Sequence, residues 1–600
     1  MLQKLQETWD LESVFPGGSQ SKELAAFLDQ IKNSIVSLTD TLRKLPAPES
    51  MEQAKQLEDI ITAWQEMRTD LGEASSFVEC LVAQNIHDQK AIQLRDRVNQ
   101  LSAGAKETAT LVEEYILKFS DDLWKEFLKL PRIESIAFNL DEKRKLGASK
   151  LPPEQEILVS NLAIDGYQAW EQLYDVIVSR ISIPFEKDGK EEKLSAGQAF
   201  NKLVDSDSTV RKEMFKKWKD AWENSADLCA ESLNHLSGFR LALYRQRKWD
   251  NFLKEPVDIC RMDEKTLDVM WQVVEQNRER LVPYLKRKKE LLGEDRLSFY
   301  DWMAPLPGGK SKMSYDEGAS FIVEHFRNFS PKMADFAEVA FNNHWIEAED
   351  RSGKRPGGFC TDLPKSKETR IFMTYDGGLS SVSTLAHELG HAYHSYVVKD
   401  LPDLASNYAM NVAETASTFA ELIVKDAALQ NAKSDEERLA LIDDKLTDSV
   451  SFFMDIFNRF TFEKKFYEAR KDGILSAEEI SNLMEETQKF AYAGALDDYF
   501  PQFWGAKLHF YISDVPFYNF PYTFGFMLSA GLFARAKKEG ASFEDKYIDF
   551  LMDTGRMKVE DLAKQHLDVD LTQPEFWQSA VDVALGEVDE FLRLSDSMVK

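Results

Sequence analysis

The sequence predicts a mostly α-helical protein with one small β-sheet. Apolar residues recur at helical spacing through most of the 600-residue chain, with breaks at prolines and glycines. The main strand signal lies within residues 352–376, where two turns precede a run of β-branched and aromatic residues at 370–375. Helices are therefore expected to form the body of the protein, and the sheet is expected to be local.

Residues 20–130 predict long amphipathic helices that pack against one another. The first helix has one apolar face, formed by Leu24, Phe27, Leu28, Ile31 and Ile35. Pro46 and Pro48 interrupt this helix, and a second apolar series follows from Leu57 to Trp64. The stretch contains no group that suggests chemistry, so its predicted role is structural.

A boundary between two regions is predicted near residue 195. Pro152-Pro153 breaks the helical pattern, and residues 181–185 followed by Asp188-Gly189 predict a small hairpin. We therefore predict an N-terminal helical region, residues 1–195, and a second region, residues 196–600, which contains every motif described below.

Charge and composition exclude several classes of function. The chain has 74 basic and 102 acidic side chains, and its net charge of −28 disfavours nucleic acid or an anionic membrane as a partner. No stretch is long and apolar enough to span a bilayer, and the first ten residues lack the apolar segment of a secretion signal. The four cysteines match neither a disulfide framework nor a cysteine-based zinc site. These features predict a cytoplasmic protein.

The strongest functional signal is the motif His387-Glu388-Leu-Gly-His391. We expect it on a helix over about residues 381–399, because Leu401-Pro402 ends the helical pattern. The two histidines then lie one turn apart on one face, where both can bind one zinc ion. Glu388 is the predicted general base that takes a proton from a zinc-bound water. His394, one turn further on, is interpreted as a packing or ligand-orienting residue.

A third zinc ligand is predicted at Glu414. We expect a second helix to begin near Tyr408, to carry Glu414 and Glu421, and to fold back so that Glu414 meets the histidine pair. Its small and apolar neighbours argue against a solvent-facing carboxylate. Glu421 lies two turns further along about the same face, where it can orient a ligand histidine. The prediction is one Zn²⁺ per chain, held by His387, His391 and Glu414, with a fourth position open for water.

Several segments of the sequence resemble one protein family. They are residues 354–360, 387–394, 412–417, 457–462 and 509–525. Through them the chain resembles the oligoendopeptidase F branch of the thimet-oligopeptidase family of zinc metallopeptidases. The resemblance implies a two-lobed, helical, zincin-type peptidase with a small β-sheet beside the active-site helix. It also implies a deep substrate channel, walled by the N-terminal helices, that admits oligopeptides and excludes folded proteins.

The same resemblance implies groups that stabilise the reaction intermediate. Tyr518 and Tyr522 match a region whose side chains contact the substrate and the oxyanion in the family, and His509 is a further candidate. The alternative interpretation is that the two tyrosines only pack beneath a loop. The broader family carries another tyrosine at about position 525, where this chain has Gly525.

An extended substrate is expected to bind beside the metal. In zinc peptidases with such a helix pair, the edge strand of the small sheet pairs with the substrate through main-chain hydrogen bonds. We hypothesise that residues 374–378 form this edge. An ordinary hairpin is the alternative.

Together these features predict a zinc-dependent endopeptidase that hydrolyses internal bonds of short oligopeptides. Two alternatives stay open. One is a related zinc carboxypeptidase, which would need a basic residue to hold the terminal carboxylate, and the other is a non-catalytic peptide-binding scaffold. The intact motif disfavours the scaffold, because Glu388 is the residue that a scaffold would most easily lose. The sequence leaves the cleavage preference, the length limit and the oligomeric state open.

Overall fold

The structure is a computed structural model that describes residues 4–187, 190–306 and 312–598. Its N-terminal helices are α1 (Lys22–Lys44), α2 (Met51–Gln84), α3 (Gln89–Ile116), α4 (Asp121–Phe127), α5 (Ala137–Ala148), α6 (Pro153–Ala163) and α7 (Ala169–Arg180). The predicted interruption at Pro46 and Pro48 is confirmed, because α1 ends before them and α2 begins after them.

The first three helices pack side by side around a shared apolar core. Leu24, Leu28 and Ile31 of α1 are fully buried, and so are Leu57 and Ile61 of α2. These are the residues that helical spacing placed on single faces, so the predicted amphipathic character is confirmed.

A two-stranded hairpin follows α7. Its strands, β1 (Ile183–Lys187) and β2 (Lys190–Leu194), pair antiparallel with Ile183 opposite Leu194. The predicted turn residues Asp188 and Gly189 lie outside the described residues. The division of the chain at residues 195 and 196 stays a prediction.

Helices again dominate between the hairpin and the second sheet. They are α8 (Ala196–Leu203), α9 (Ser208–Glu223), α10 (Ala226–Gln246), α11 (Lys254–Ile259), α12 (Glu264–Asn277), α13 (Val282–Leu291), α14 (Tyr315–Phe329) and α15 (Pro331–Asn342). Within the described ranges, every helix of the protein is too short or too polar to cross a lipid bilayer.

A three-stranded sheet follows α15. Its strands are β3 (Ile346–Glu347), β4 (Phe359–Leu363) and β5 (Glu368–Phe372), in the order β3–β5–β4. The central strand β5 is parallel to β3 and antiparallel to β4. The sheet therefore has two edges, β3 and β4.

The predicted strand and edge are shifted in the structure. The strand expected at residues 370–375 ends at Phe372. Residues 374–378 are not the predicted edge strand, because they follow the end of the central strand β5, and the amide of Tyr375 donates to the carbonyl of Ala348 at 2.9 Å. β4 is an edge strand of the sheet, and Gly358, directly before it, lies next to Thr384 and Glu388 of the following helix.

The sheet separates two hydrophobic cores. Leu363 and Phe372 pack into the core of the N-terminal helices, whereas Ile371 belongs to the larger core built by the rest of the chain. Neighbouring residues of a strand point to opposite faces, so β5 contributes to both cores. The helix that follows β5 thus begins at the junction of two helical lobes.

The remaining helices complete the second lobe. They are α16 (Leu379–Val398), α17 (Asp403–Ser406), α18 (Met410–Ala413), α19 (Thr415–Gln430), α20 (Asp435–Val450), α21 (Ile456–Arg470), α22 (Ala477–Ala491), α23 (Phe503–Ala506), α24 (Phe520–Glu539), α25 (Phe543–Asp553), α26 (Val559–Leu567), α27 (Pro574–Ala584) and α28 (Val588–Ser595). The predicted helix over residues 381–399 is confirmed as α16.

α16 and α19 approach each other closely at Gly390. A Cβ at that position would lie 2.5 Å from the carbonyl oxygen of Ala416 and 2.6 Å from Cα of Ser417. Both neighbours are backbone atoms, so only glycine allows this contact. The contact fixes the distance between the helix with the histidine motif and the segment with Glu414.

Candidate active site

α16 holds the two histidines of the motif on one face. His387 and His391 are one turn apart, and their ring centroids are separated by 5.0 Å. The other side of the helix is anchored in the core, because Leu385, Leu389 and Ala392 are fully buried, as predicted. A buried, well-packed helix therefore gives the imidazoles fixed positions.

The expected second helix is interrupted at Glu414. α18 ends at Ala413 and α19 begins at Thr415, with Glu414 between them at φ −84° and ψ 2°. The prediction of one continuous helix is wrong at this point. The break places the carboxylate against α16, where Oε2 of Glu414 lies 3.2 Å from Nε2 of His387 and 3.4 Å from Nε2 of His391.

These three side chains fit a tetrahedral metal ion. Donor atoms about 2.0–2.1 Å from such an ion lie about 3.3–3.4 Å from one another, which matches the spacings between Glu414 and each histidine. The three donor atoms all lie within 4.8 Å of one another, and no other trio of possible ligands does so in the described ranges. Two imidazoles and one carboxylate are a donor set of hydrolytic zinc sites.

Glu421 lies behind His387, where the sequence analysis placed it. Its Oε2 is 3.2 Å from Nδ1 of His387, so Nε2 is left to face Glu414. A carboxylate on the outer nitrogen fixes the tautomer and the orientation of a metal-binding histidine. Ser383 donates its hydroxyl proton to the other oxygen of Glu421 at 3.0 Å.

Lys425 completes this network, and the sequence analysis missed it. Its ammonium lies 2.9 Å from Oε1 of Glu421 and 2.6 Å from Oδ2 of Asp448. The spacing of four residues from Glu421 was the available signal, but such pairs are common on exposed helix surfaces. Here the lysine is largely buried, so it keeps Glu421 ionised and in position.

The electrostatics of the cluster favour a cation between the ligands. Burial opposes a charged imidazole at His387, but its hydrogen bonds to Glu414 and Glu421 outweigh burial and raise the pKa of His387 to about 10. Burial also opposes ionisation of Glu414, yet the two histidines hold the pKa of Glu414 well below its usual range. A metal ion that binds here must displace protons, so its affinity is expected to fall in acid.

Glu388 lies beside the cluster in a sheltered position. Its residue is 7% exposed, and its Oε1 is 3.4 Å from the point that a Cβ on Gly358 would occupy. Gly358 directly precedes β4, so this carboxylate lies where the edge strand meets α16. Burial raises the pKa of the Glu388 carboxyl, and the neighbouring His387 and His391 offset only part of that rise. A raised pKa makes the carboxylate a stronger base.

His509, Tyr518 and Tyr522 form an aromatic cluster. The ring centroid of His509 is 5.2 Å from that of Tyr518 and 5.9 Å from that of Tyr522, and the two tyrosine rings are 5.7 Å apart. Tyr522 lines a cavity of about 280 Å³ together with His387 and Glu414. The cluster therefore borders the metal-binding side chains.

Gly525 brings α24 into direct contact with the Glu414 segment. A Cβ on Gly525 would lie 3.2 Å from Cβ of Glu414 and 3.4 Å from the carbonyl oxygen of Asn411. A tyrosine at this position, which the family resemblance led us to expect, would require these neighbours to shift. The close contact supports the backbone at the break that positions Glu414.

Comparison with known proteins agrees with this geometry. The sequence profile of peptidase family M3 matches residues 203–583, and a profile described as oligopeptidase F matches residues 116–182. The first match alone covers more than half of the chain. The chain belongs to peptidase family M3. It is therefore a metal-dependent peptidase, and the cluster of His387, His391 and Glu414 is its candidate metal site.

Relatives of this M3 peptidase match it along nearly the whole chain. Oligopeptidase PepF of Bacillus subtilis is 24% identical over 98% of this chain and 88% of its own length. An oligoendopeptidase F homolog of Lactococcus lactis is 25% identical over 99% of this chain and 98% of its own length. The similarity thus includes the N-terminal helices as well as the metal site.

Solved structures confirm the predicted two-lobed helical fold. A Chlamydophila abortus protein superposes with a TM-score of 0.84 over 98% of both chains at 19% identity. Oligoendopeptidase-F from Enterococcus faecium superposes with a TM-score of 0.71 over 95% of this chain and 99% of its own, at 18% identity. At these identities the likeness shows the fold alone.

His394 of the M3 peptidase packs away from the metal-binding side chains. Its ring stacks on Tyr408 with a centroid separation of 4.1 Å, and its Nε2 lies 2.8 Å from the hydroxyl of Thr554. The residue is fully buried, and burial lowers the pKa of His394 to about 3. The structure thus places it in the packing role, one of the two interpretations from sequence.

Proposed function

We propose that this M3 peptidase is a zinc-dependent endopeptidase that hydrolyses internal bonds of short oligopeptides. The observation that carries the proposal is the convergence of His387, His391 and Glu414 beside the buried carboxylate of Glu388. The names of the relatives, oligopeptidase and oligoendopeptidase F, support the substrate class. A deep channel between the lobes, as the family resemblance implies, would restrict substrates to oligopeptides.

One zinc ion per chain is proposed to occupy the His-His-Glu cluster. His387 and His391 would offer Nε2, Glu414 would offer Oε2, and Glu421 keeps His387 in the tautomer that leaves Nε2 free. When bound, zinc lowers the pKa of a coordinated water and polarises the carbonyl of the substrate.

Glu388 is proposed to move the protons of the reaction. Its carboxylate accepts a proton from the water that attacks the peptide carbonyl, and it then donates that proton to the leaving nitrogen. Its position supports both steps, because it is sheltered from bulk water and lies beside Gly358, where β4 begins. An extended substrate paired with the edge of β4 would pass next to this carboxylate.

Tyr518 and Tyr522 are proposed to stabilise the negative charge that develops on the carbonyl oxygen. Tyr522 lines a cavity with His387 and Glu414, so it is the stronger candidate of the two. Burial raises the pKa of Tyr522, so the hydroxyl keeps its proton and can donate it. His509 is a further candidate donor, and its imidazole is neutral because burial lowers the pKa of His509 to about 3.

Replacing Tyr522 with Phe is expected to lower kcat by about 100-fold, the usual effect of removing one donor to an oxyanion. KM and zinc content should change little, because the hydroxyl acts mainly in the transition state. Initial rates on a quenched fluorescent peptide measure this, with Tyr518→Phe as the matched variant and a smaller loss expected. A Tyr522→Phe enzyme with unchanged kcat would exclude Tyr522 from the reaction.

Product mapping separates the proposal from its rivals. A peptide acetylated at its N-terminus and amidated at its C-terminus is incubated with the zinc-loaded protein, and the products are identified by mass spectrometry. The endopeptidase cuts internal bonds of this peptide. A carboxypeptidase leaves the amidated peptide intact but trims the free acid one residue at a time. A binding scaffold retains both peptides and cuts neither.

A further inference from the structure

A second cavity, of about 380 Å³, has His509 in its wall. Most of its lining is apolar and aromatic, with Trp218 and Phe503 among its rings. Lys507 and Arg459 line the same cavity. Aromatic walls with a few cationic groups suit a ligand that is partly apolar and partly anionic.

The two cations of this cavity differ in their partners. Arg459 forms an ion pair with Asp455 on the same helix and donates to Oδ1 of Asn519 at 3.3 Å. Across residues 4–187, 190–306 and 312–598, no carboxylate oxygen lies within 4.0 Å of the Lys507 ammonium. The other carboxylate in the lining, Asp175, is exposed to solvent. Asp455, already paired with Arg459, is thus the nearest counter-charge in the lining, and Lys507 has no direct ion pair among the described residues.

A partly buried ammonium without a direct ion pair has lost some of its water and has gained only weak compensation from charge. Burial and the nearby Arg459 lower the pKa of Lys507 to about 8, and the attraction of Asp455 offsets only part of this fall. The absence of a partner is notable in a chain with 102 acidic side chains and a net charge of −28. A carboxylate that entered the cavity would supply the missing partner through a charge-assisted hydrogen bond.

His509 connects this cavity to the candidate active site. Its ring contacts Tyr518 and Tyr522, and Tyr522 lines the cavity that contains His387 and Glu414. His387 and Glu414 thus line one cavity and Lys507 lines another, and each cavity has one member of the same aromatic cluster in its wall. A peptide lying across that cluster would reach both.

We propose that the second cavity binds the C-terminal residue of the substrate, with its α-carboxylate on the Lys507 ammonium and its side chain among the aromatic rings. This proposal rests on the proposed function, because it takes the bond that is cut to lie at the proposed zinc site. The preferred substrates are then oligopeptides with a free C-terminus and a large apolar last residue. Because Lys507 and the pair His387 and Glu414 line different cavities, the bond that is cut is an internal one, with at least one further residue between it and the C-terminal residue.

The test measures peptide binding without cleavage. The zinc-loaded Glu388→Gln protein is titrated with three fluorescently labelled peptides of one sequence, which end in phenylalanine acid, in phenylalanine amide, or in glutamate amide. The third peptide offers a side-chain carboxylate in place of the terminal one. The same titrations are repeated with Lys507→Met, Lys507→Gln and Lys507→Arg added, and with Lys286→Met, an exposed lysine on α13, as the control.

With Lys507 present, the acid is expected to bind about tenfold more tightly than either amide, as a charge-assisted hydrogen bond predicts. The preference should vanish with methionine or glutamine at this position, persist with arginine, and be unchanged in the Lys286→Met control. Equal affinity for acid and amide, or a preference that survives Lys507→Gln, overturns the proposal. If the peptide ending in glutamate amide binds as tightly as the peptide ending in phenylalanine acid, Lys507 does not select the C-terminal carboxylate, and this part of the proposal is overturned. Peptide binding is measured separately from turnover. Failure of the proposed Lys507–carboxylate contact and failure of the peptidase proposal therefore give different results.

Discussion

Glu388→Gln is expected to lower kcat by about 10³-fold or more while zinc stays bound. Glutamine has nearly the shape of glutamate, so the packing beside Gly358 is kept, but its amide cannot accept the proton of the attacking water. KM should change little, since Glu388 is not among the three side chains that converge on the metal position. Initial rates on a quenched peptide measure the loss, and elemental analysis measures zinc per chain.

Two controls make this result specific to proton transfer. The variant should unfold at the same temperature as the wild type and should contain the same amount of zinc, which excludes misfolding and metal loss. A variant that keeps more than about a tenth of the wild-type kcat with zinc bound would show that another group takes the proton.

His391→Ala is expected to abolish zinc binding at ordinary concentrations and, with it, turnover. The imidazole is one of three ligands, and its loss leaves Glu414 and His387 as an incomplete site. The affinity for zinc should fall by more than the roughly 10–100-fold that is typical when a residue hydrogen-bonded to a metal ligand is replaced. Glu421→Gln is expected to cause this smaller fall in zinc affinity, because Glu421 contacts Nδ1 of His387, the nitrogen that faces away from the metal position. Equilibrium dialysis with zinc gives both affinities.

The matched control for the histidine is His87→Ala. His87 is exposed and far from the motif in sequence, so zinc affinity and kcat should stay at wild-type values. A His391→Ala protein that binds zinc as tightly as the wild type would refute the ligand assignment. So would equal losses in His391→Ala and His87→Ala.

Much of the fold and of the site was predictable because it depends on local spacing. Leu24, Leu28 and Ile31 recur at helical intervals and are buried together in α1. His387 and His391 are one turn apart, which already places them on one face of a helix. For Glu414, its small and apolar neighbours indicated a buried carboxylate.

The remainder depends on packing between distant segments, which local spacing does not encode. The helix break at Glu414 is held by the close approach of Gly390 and Gly525, from two other helices. The position of the free edge depends on hydrogen bonds from Met373 and Tyr375 to the β3 segment. Lys507 belongs to no recognisable motif, and only the structure places it in one cavity with residues as distant in sequence as Trp218.

The most direct test of the account is to titrate the metal-free protein with zinc while measuring cleavage of a peptide blocked at both ends. We expect no cleavage before zinc is added, a linear rise in rate as zinc is added, and a plateau at one equivalent of zinc per chain. Glu388→Gln should bind the same single equivalent and stay inactive. Cleavage by the metal-free protein, or one tightly bound zinc without cleavage in the wild type, would contradict the account.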